Sequence, residues 1–269
     1  MKLGESAAVM QRIWLIGGTQ ESATIAQQLV IQQIPCVITV TTESARNLYP
    51  IAPHLTVQVG YLTADQVADF LRHHQITAIL DASHPFAVEI SQLAIATAKT
   101  DSLPYLRFER CNDQSTRNSL EQSFSSFEAL LASDVLDHQR VLLTIGYRSL
   151  PLFHPWQTRS VLFARILPSE IALKTALAAG FRPDRLIALR PPISLELEKA
   201  LWQQWQISCI VTKASGGPGG ETVKRQLATE LGIQLITLDR PAIQYPQQTE
   251  NLDEAVQFCL SSLHPVPGY

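Results

Sequence analysis

The sequence predicts an α/β fold whose sheets are mainly parallel and covered by helices on both faces. Short β-type runs alternate with segments of helical periodicity along the chain, and several of these runs, such as IWLI (13–16), are apolar over their length rather than alternating. The alternation is typical of strand–helix–strand units, and a wholly apolar strand is one that helices bury on both faces. A doubly wound sheet fits both observations.

The individual elements follow from the same patterns. Ile25, Ala26, Leu29 and Val30 form an apolar stripe at helical spacing, so a helix is expected between the first two strands. Ten strands are expected at 13–16, 36–40, 55–59, 77–82, 105–108, 141–145, 160–167, 185–190, 207–213 and 233–238. Further helices are expected at 64–73, 86–99, 169–179, 194–205, 220–231 and 252–262.

Two domains are expected from the length and the number of strands. The chain has 269 residues, more than the ~100–200 of a typical domain, and ten strands are many for one sheet. The polar stretch 111–123 has no periodic pattern, so it is expected to link the domains. The predicted division gives an N-terminal domain at 1–136 and a C-terminal domain at 137–269.

Composition and charge exclude several kinds of partner. The chain has 21 Lys and Arg against 24 Asp and Glu, and a net charge of −3 is too weak to attract nucleic acid or an anionic membrane. No apolar run reaches the ~18 residues of a membrane span, so a cytoplasmic protein with a small-molecule partner is expected. No His, Cys or Asp grouping has metal-ligand spacing. The four cysteines lack a CxxC pair and are expected to be buried free thiols: Cys36, Cys111, Cys209 and Cys259.

The first strand runs into a glycine turn and a helix, in the sequence IWLIGGTQESA (13–23). Backbone amides at such a turn can approach a phosphate, and the helix N-terminus adds about half a positive charge. The amides of residues 17–19 are expected to hold a pyrophosphate, with Thr19 capping the helix or binding a phosphate oxygen. The alternative is an ordinary strand-to-helix turn. The predicted cofactor residues here are Gly17, Gly18, Thr19 and Glu21.

The second strand ends in hydroxyl side chains and an arginine. A dinucleotide fold contacts the adenosine ribose at this position, and hydroxyls with an arginine suit a 2′-phosphate better than the acidic residue typical of NAD sites. Glu43 weakens this preference. NADPH is therefore the predicted cofactor, with NADH possible, and an exposed loop without function is the alternative. The residues concerned are Thr41, Thr42, Ser44 and Arg46.

The fourth strand leads into DASHPFAVEIS (81–91), at the sheet edge where open α/β folds bind ligands. Ser83 and His84 are therefore candidates for substrate binding and catalysis, respectively. In the alternative interpretation Ser83 caps a helix and His84 is simply exposed.

A second glycine-rich turn lies between a strand and a helix at VTKASGGPGGETVKRQLATELGI (211–233). It is expected to bind an anion or to form a mobile lid. The order GxxxxGK[ST] is missing, so a nucleoside triphosphatase is not expected. The predicted substrate-binding residues here are Lys213, Ser215, Gly216, Gly217 and Lys224.

The segments IGGTQES, TTESAR, DASHPFAVEIS, LPYLRFER, LLTIGYRSLPLF and the second glycine-rich turn, in this order, resemble the precorrin-6A reductase family of cobalamin biosynthesis. The resemblance extends from about residue 12 to Pro241, and its most specific pieces are GGTxE, DxxHPFA and TKxSGG. The sequence departs from the family where RPxW is common, since it reads Arg110-Cys111-Asn112-Asp113 there.

The resemblance implies two Rossmann-like domains flanking a cleft, with NADPH in the N-terminal domain and the C-terminal domain contributing to the substrate cleft. It also implies reduction of a tetrapyrrole, a corrin precursor with or without cobalt, by hydride transfer to carbon C19. The proton can come from solvent without a dedicated acid. The substrate carboxylates need cationic partners. The candidates are Arg107, Arg110, Arg148, Lys213 and Lys224.

Two other functions fit parts of the sequence. A nucleotide-sensing regulator would bind the cofactor and reduce nothing, although a sensor needs only one site. A sugar-nucleotide transferase would bind its substrate through the second domain. A monomer or a small homo-oligomer is expected.

Overall fold

The computed structural model describes residues 10–109, 119–217 and 220–263. These residues form two units, each built on its own sheet. One unit takes in the chain up to 109 and again from 242 to 263, and the other takes in 119–241. Within the described residues, no helix is long and apolar enough to cross a membrane.

Each unit contributes six strands to its own sheet. The strands of the chain are β1 (Arg12–Ile16), β2 (Cys36–Val40), β3 (Leu55–Val59), β4 (Ile76–Asp81), β5 (Tyr105–Phe108), β6 (Glu121–Phe124), β7 (Arg140–Thr144), β8 (Val161–Ile166), β9 (Leu186–Ala188), β10 (Cys209–Lys213), β11 (Gln234–Leu238) and β12 (Gln248–Thr249). The first sheet has the order β12-β5-β4-β1-β2-β3 and the second β6-β11-β10-β7-β8-β9. All neighbours are parallel, which confirms the predicted α/β class.

Helices connect the strands and cover both faces of each sheet. They are α1 (Gln20–Ile31), α2 (Glu43–Arg46), α3 (Ala64–His74), α4 (Val88–Thr100), α5 (Phe127–Leu131), α6 (Glu170–Ala178), α7 (Leu195–Gln204), α8 (Glu221–Leu231) and α9 (Leu252–Leu263). A 3₁₀ segment, Tyr147–Thr158, follows β7 in place of an α-helix. Its Pro151 and Pro155 lack the backbone N–H that an α-helix would need at those positions.

The core of the first unit lies on both sides of its sheet. Ile13 and Leu15 belong to the cluster under α1 and α9, whereas Trp14 and Ile16 belong to the cluster under α3 and α4. Successive strand residues point to opposite faces, so a strand covered on both sides must be apolar throughout. Ala23 and Ala26 are buried on α1, as expected for a helix that lies close to the sheet.

The chain divides elsewhere than at the predicted 136/137 boundary. β6 precedes β7 in the chain and becomes the outer strand of the second sheet, beside β11. β12 and α9 return to the first unit, where β12 pairs with β5 and α9 packs on β4 and β1. β6 is thus the first strand of the second unit in sequence but pairs with its last strand, β11, whereas β12 joins β5 only after the chain has formed the whole second unit.

The ten predicted strands and the longer predicted helices are all present within one or two residues of their expected limits. The structure adds β6, β12, α2 and α5, which are too short to show a period. The predicted linker at 111–123 is wrong at its end, because β6 begins at Glu121. Cys36, Cys209 and Cys259 are buried free thiols, as expected, and Cys111 lies outside the described residues.

Candidate functional site

The strand order of the first sheet reverses between β1 and β4, and of the second between β7 and β10. Open α/β sheets bind ligands outside the carboxyl ends of the strands at such a point. In the first unit this edge carries the glycine turn after β1 and the DASHPFA loop after β4. In the second it carries the segment after β7 and the second glycine-rich turn.

The three amides of the first glycine turn all have acceptors within the protein. Gly17 N donates to Thr39 O at 3.0 Å, Gly18 N to Tyr49 Oη at 2.6 Å and Thr19 N to Ser22 Oγ at 3.0 Å. These amides are thus hydrogen-bonded within the protein, and a pyrophosphate at this turn stays a prediction. A phosphate at this turn would meet the N-terminus of α1 from its first helical residue onward.

The two glycines are required for different reasons. A Cβ at Gly17 would lie 2.2 Å from Tyr49 Oη, so the close approach of the tyrosine excludes any side chain there. Gly18 has a φ of +100°, which L-residues rarely adopt, and a Cβ built on it would meet no atom within 4 Å. Gly17 thus packs against Tyr49 with no room for a side chain, whereas Gly18 faces open space.

Thr19 caps α1 rather than presenting its hydroxyl to a ligand. Its Oγ1 accepts from Ser22 N at 3.1 Å and donates to Ala82 O at 2.9 Å, and Ser22 completes a capping box. The hydroxyl proton is used within the protein, so of the two predicted roles only the cap is present. The predicted residue Glu21 lies in the first turn of α1.

The residues predicted for the 2′-phosphate lie together after β2. Thr41, Thr42, Ser44 and Arg46 are all exposed. Thr42 caps the short α2, with its Oγ1 3.1 Å from Ser44 Oγ. Arg46 Nε lies 3.1 Å from Glu43 Oε2 in a solvent-exposed ion pair. Hydroxyls and a guanidinium are thus present where the sequence predicted them.

A buried charge network underlies the DASHPFA loop. Arg107 is 1% exposed, and its Nη1 lies 2.8 Å from Asp81 Oδ1, while its Nε lies 2.8 Å from Glu109 Oε2. Asp81 also accepts from Ser91 Oγ at 2.6 Å and from Tyr105 Oη at 2.9 Å. Every oxygen of this buried carboxylate therefore has donors, as a charge removed from water requires.

The electrostatics of the network keep Arg107 charged. Burial alone would lower the pKa of Arg107, but the carboxylates of Asp81 and Glu109 outweigh it and raise this pKa above its ordinary value. Burial and then the Asp81 charge raise the pKa of Tyr105, which stays a neutral donor. Beside the network is a shallow depression lined by Glu21, Ala82, Ser83, Pro85, Arg107, Phe108 and Glu109.

Two residues predicted to contact substrate belong to this network instead. Ser83 is 5% exposed; its Oγ accepts from Arg107 Nη1 at 3.0 Å and its carbonyl from Nη2 at 3.1 Å. The alternative in which Ser83 caps a helix is wrong, because the N-cap of α4 is Ala87, while substrate binding by Ser83 stays a prediction. Arg107 is likewise engaged within the protein, by Asp81, Glu109 and Ser83. Arg110 lies outside the described residues.

His84 is exposed at the carboxyl edge of the first sheet. Its Nδ1 accepts from Phe86 N at 3.2 Å, and its carbonyl accepts from Ala87 N at 2.7 Å. A ring whose Nδ1 accepts carries its proton on Nε2 when neutral. This contact favours the neutral tautomer that carries its proton on Nε2.

Two cations stand at the carboxyl edge of the second sheet. Lys213 ends β10, with its Nζ 5.8 Å from the centre of the Phe127 ring. Burial, followed by the charge of Arg148, lowers the pKa of Lys213 to about 8. Arg148 itself is exposed beside Tyr147. An anion bound here would relieve the repulsion between the two cations.

The second glycine-rich turn already holds a carboxylate of the chain. Gly216 N donates to Glu221 Oε2 at 2.8 Å, and Glu221 Oε1 accepts from Arg225 Nη2 at 3.1 Å. Ser215 and Gly216 are buried, whereas Gly217 is exposed. The predicted anion at Gly216 is therefore supplied internally, by a side chain that is 3% exposed.

Lys224, predicted to contact substrate, is a buried cation, and that contact stays a prediction. It is 2% exposed on α8, among the charges of Arg165, Glu198 and Glu221. Burial, with a further contribution from Arg165, lowers its pKa to about 7. Its place is inside the second unit.

The fold and these edges define a class: an α/β protein with two doubly wound parallel sheets, each with cationic, hydroxyl or helix-terminal groups at its ligand edge. The sequence profile of the precorrin-6x reductase CbiJ/CobK family matches residues 12–260. The chain belongs to this family of reductases.

Individual relatives agree with the family assignment. The cobalt-precorrin-6A reductase of Synechocystis sp. is 50% identical over 92% of this chain and 95% of its own. The precorrin-6A reductase of Rhodococcus erythropolis is 31% identical over 91% of this chain and 94% of its own. The solved structure of CobK precorrin-6A reductase superposes with a TM-score of 0.76 at 25% identity, covering 96% of this chain and 99% of that one.

Proposed function

We propose that the protein reduces one double bond of precorrin-6A, or of its cobalt-containing form, with NADPH as reductant, in cobalamin biosynthesis. The observation that carries the choice of cofactor is the first unit's edge, where the N-terminus of α1 and the Thr42–Arg46 loop follow adjacent strands. The cobalt form is favoured because the relative at 50% identity carries that name.

The residues present fit a dinucleotide. Open space above Gly18 allows a phosphate to approach the backbone, and the first turn of α1 supplies the positive end of a helix. Ser44, Thr41 and Arg46 are exposed where a 2′-phosphate would need donors. When bound, NADPH supplies the hydride, which we assign to C19 of the macrocycle.

The substrate's acetate and propionate carboxylates need cations, and Arg148 with Lys213 can supply them. Arginine binds a carboxylate through two parallel N–H groups, whereas lysine acts as a point charge. Lys213 is held in a partly buried position, so its interaction with a carboxylate is less screened than at an open surface. These two residues would anchor the macrocycle.

His84 is the residue that we assign to proton delivery. Its Nδ1 is occupied by Phe86 N, so Nε2–H is the group that can donate toward the carbon next to C19. The network of Asp81 and Arg107 holds the loop that carries it, because Arg107 binds both the hydroxyl and the carbonyl of Ser83.

The test of the proposed function is the NADPH absorbance of the purified protein mixed with precorrin-6A and, separately, with the cobalt form. We expect loss of NADPH absorbance that depends on the tetrapyrrole, with one NADPH oxidised per macrocycle reduced. Binding of NADPH without oxidation in both mixtures would contradict a reductase and support a nucleotide sensor.

His84→Ala is expected to lower kcat by about 100-fold, since general acid–base catalysis typically contributes factors of this size. Nucleotide affinity and the unfolding midpoint are expected to stay near those of the unmodified protein. His73→Ala is the matched control, because His73 is an exposed histidine of the same unit on α3. Full activity of His84→Ala would assign the proton to solvent.

A further inference from the structure

Tyr49 lies under the first glycine turn, in a place that the sequence does not indicate. It is 7% exposed and belongs to the core cluster of the first unit. Its hydroxyl accepts from Gly18 N at 2.6 Å and lies 2.7 Å from Ser22 Oγ, on α1. Burial raises the pKa of Tyr49, so the phenol is neutral at physiological pH.

The direction of the hydrogen bond between the two hydroxyls follows from the other partners of Ser22. Ser22 Oγ lies 2.7 Å from Thr19 O, an acceptor, so the serine proton is used there. Ser22 Oγ also accepts from Thr19 N. Tyr49 Oη must then donate to Ser22 while it accepts from Gly18 N. One hydroxyl thus connects the turn to the helix that follows it.

The backbone of Tyr49 makes the second connection. Tyr49 follows α2 closely, and its N donates to Arg46 O at 3.1 Å. Arg46 and Ser44 are the residues expected to meet the 2′-phosphate, whereas Gly18 is part of the turn beside the pyrophosphate. A buried ring cannot give way to a ligand without disturbing the core, so Tyr49 is a fixed element rather than a displaceable plug.

We propose that Tyr49 is a positioning residue for the nucleotide: it holds the Gly17–Thr19 turn and the α2 loop at a fixed separation, so that both ends of the cofactor site are formed before the nucleotide arrives. Preformed sites bind more tightly because less ordering is needed on binding. The inference rests on the proposed NADPH site.

Tyr49→Phe keeps the ring and removes the hydroxyl, which leaves Gly18 N without its acceptor. We expect the Kd of NADPH and of NADH, measured by calorimetry without tetrapyrrole, to rise about 5-fold to 10-fold. Ordering the turn on binding would then cost about as much free energy as one hydrogen bond supplies. In turnover, the KM for NADPH should rise by the same factor. The kcat and the KM for the tetrapyrrole should change less than about twofold.

Ile34→Val is the matched control. Ile34 is buried in the same core cluster, but it precedes β2 and therefore lies at the amino end of the strands, away from the turn. It should lower the unfolding midpoint about as much as Tyr49→Phe does, without changing nucleotide affinity. Equal nucleotide affinities in Tyr49→Phe and Ile34→Val would overturn the proposal for Tyr49.

Failure of the proposed function gives a different result. If the unmodified protein binds neither NADPH nor NADH, both the cofactor assignment and the role of Tyr49 are overturned. If it binds NADPH and Tyr49→Phe binds it equally well, only the role of Tyr49 is lost.

A double-mutant cycle tests the contact without any ligand. Gly17→Ala should lower the urea midpoint strongly, because the new Cβ would lie 2.2 Å from Tyr49 Oη. In the Tyr49→Phe background, Gly17→Ala should lower the urea midpoint less, since the tyrosine hydroxyl is absent. Equal losses in both backgrounds would show that Gly17 and Tyr49 are not coupled, and would overturn the proposal.

Discussion

Five strands of each sheet follow the same order, β5-β4-β1-β2-β3 in the first unit and β11-β10-β7-β8-β9 in the second, but the ligand edges of the two sheets are built differently. In the first unit β1 passes through two glycines directly into α1, so a helix N-terminus stands at the point where the order reverses. In the second unit β7 passes into a 3₁₀ segment with two prolines, and the turn after β10 takes its anion from Glu221. The cations Arg148 and Lys213 mark that edge instead.

The difference indicates that topology sets where a ligand binds, and local chemistry sets which ligand. A helix terminus with open backbone suits the phosphates of a nucleotide. A pair of cations suits the carboxylates of a large organic anion. The same fold can therefore supply a cofactor edge in one unit and a substrate edge in the other.

Arg107→Ala is expected to have the largest effect on stability, and it should act on the ligand edge of the first unit. Removing one partner of a buried ion pair leaves Asp81 as an uncompensated buried charge, which typically costs about 3–5 kcal/mol. The free energy of unfolding, from urea titration, measures it. Arg72→Ala breaks an exposed pair with Asp69 in the same unit and should cost far less. If Arg107→Ala and Arg72→Ala lower the free energy of unfolding equally, the buried charge network is not needed to hold the ligand edge of the first unit.

Lys213→Met is expected to affect the second edge only. The KM for the tetrapyrrole should rise about 10-fold to 100-fold, as for loss of a charged hydrogen bond, while the Kd of NADPH is unchanged. The control is Lys174→Met, an exposed lysine of α6 paired with Glu170. If Lys213→Met also raises the Kd of NADPH, the nucleotide and the tetrapyrrole do not bind at separate edges.

Lys213 should also give the proposed substrate edge a pH dependence. Its pKa is about 8, so the side chain is charged below that pH and neutral above it. Binding of a carboxylate should therefore weaken as the pH rises through 8, and the KM for the tetrapyrrole should increase. In Lys213→Met the KM should be high but independent of pH in this range. If Lys213→Met leaves the pH dependence of the KM unchanged, that dependence arises from another group.

Arg46→Ala is expected to have the smallest effect, and it refines the description of the first edge. Loss of an exposed contact with the 2′-phosphate should raise the KM for NADPH about tenfold, which is about 1.4 kcal/mol, and leave that for NADH nearly unchanged. Steady-state kinetics with each nucleotide measure the ratio. Equal loss for both nucleotides would refute the 2′-phosphate assignment.

The sequence predicted the fold well because buried strands have a strong local signal. β1, β2 and β10 are largely apolar, and long helices show their period over several turns. β6 and β12 could not be predicted in the same way. β6 is short and polar in sequence, and β12 has only two residues, so both depend on pairing with β11 and β5.

The site was less predictable, because its key contacts join distant positions. Tyr49 meets Gly18 across 31 residues, and Arg107 meets Asp81 across 26. The sequence suggested Arg107 and Lys224 as partners of the substrate carboxylates, because the neighbouring residues in sequence do not indicate that either cation is buried. A carboxylate ending an apolar strand, as Asp81 ends β4, was the one available signal of a buried ion pair.

The most direct measurement is a crystal structure of the protein with NADP⁺ bound. We expect the pyrophosphate at the N-terminus of α1, beside Gly18, and the 2′-phosphate next to Ser44 and Arg46. Phosphates found instead beside Lys213 and Gly217 in the second unit, with no nucleotide at α1, would contradict the assignment of the two edges.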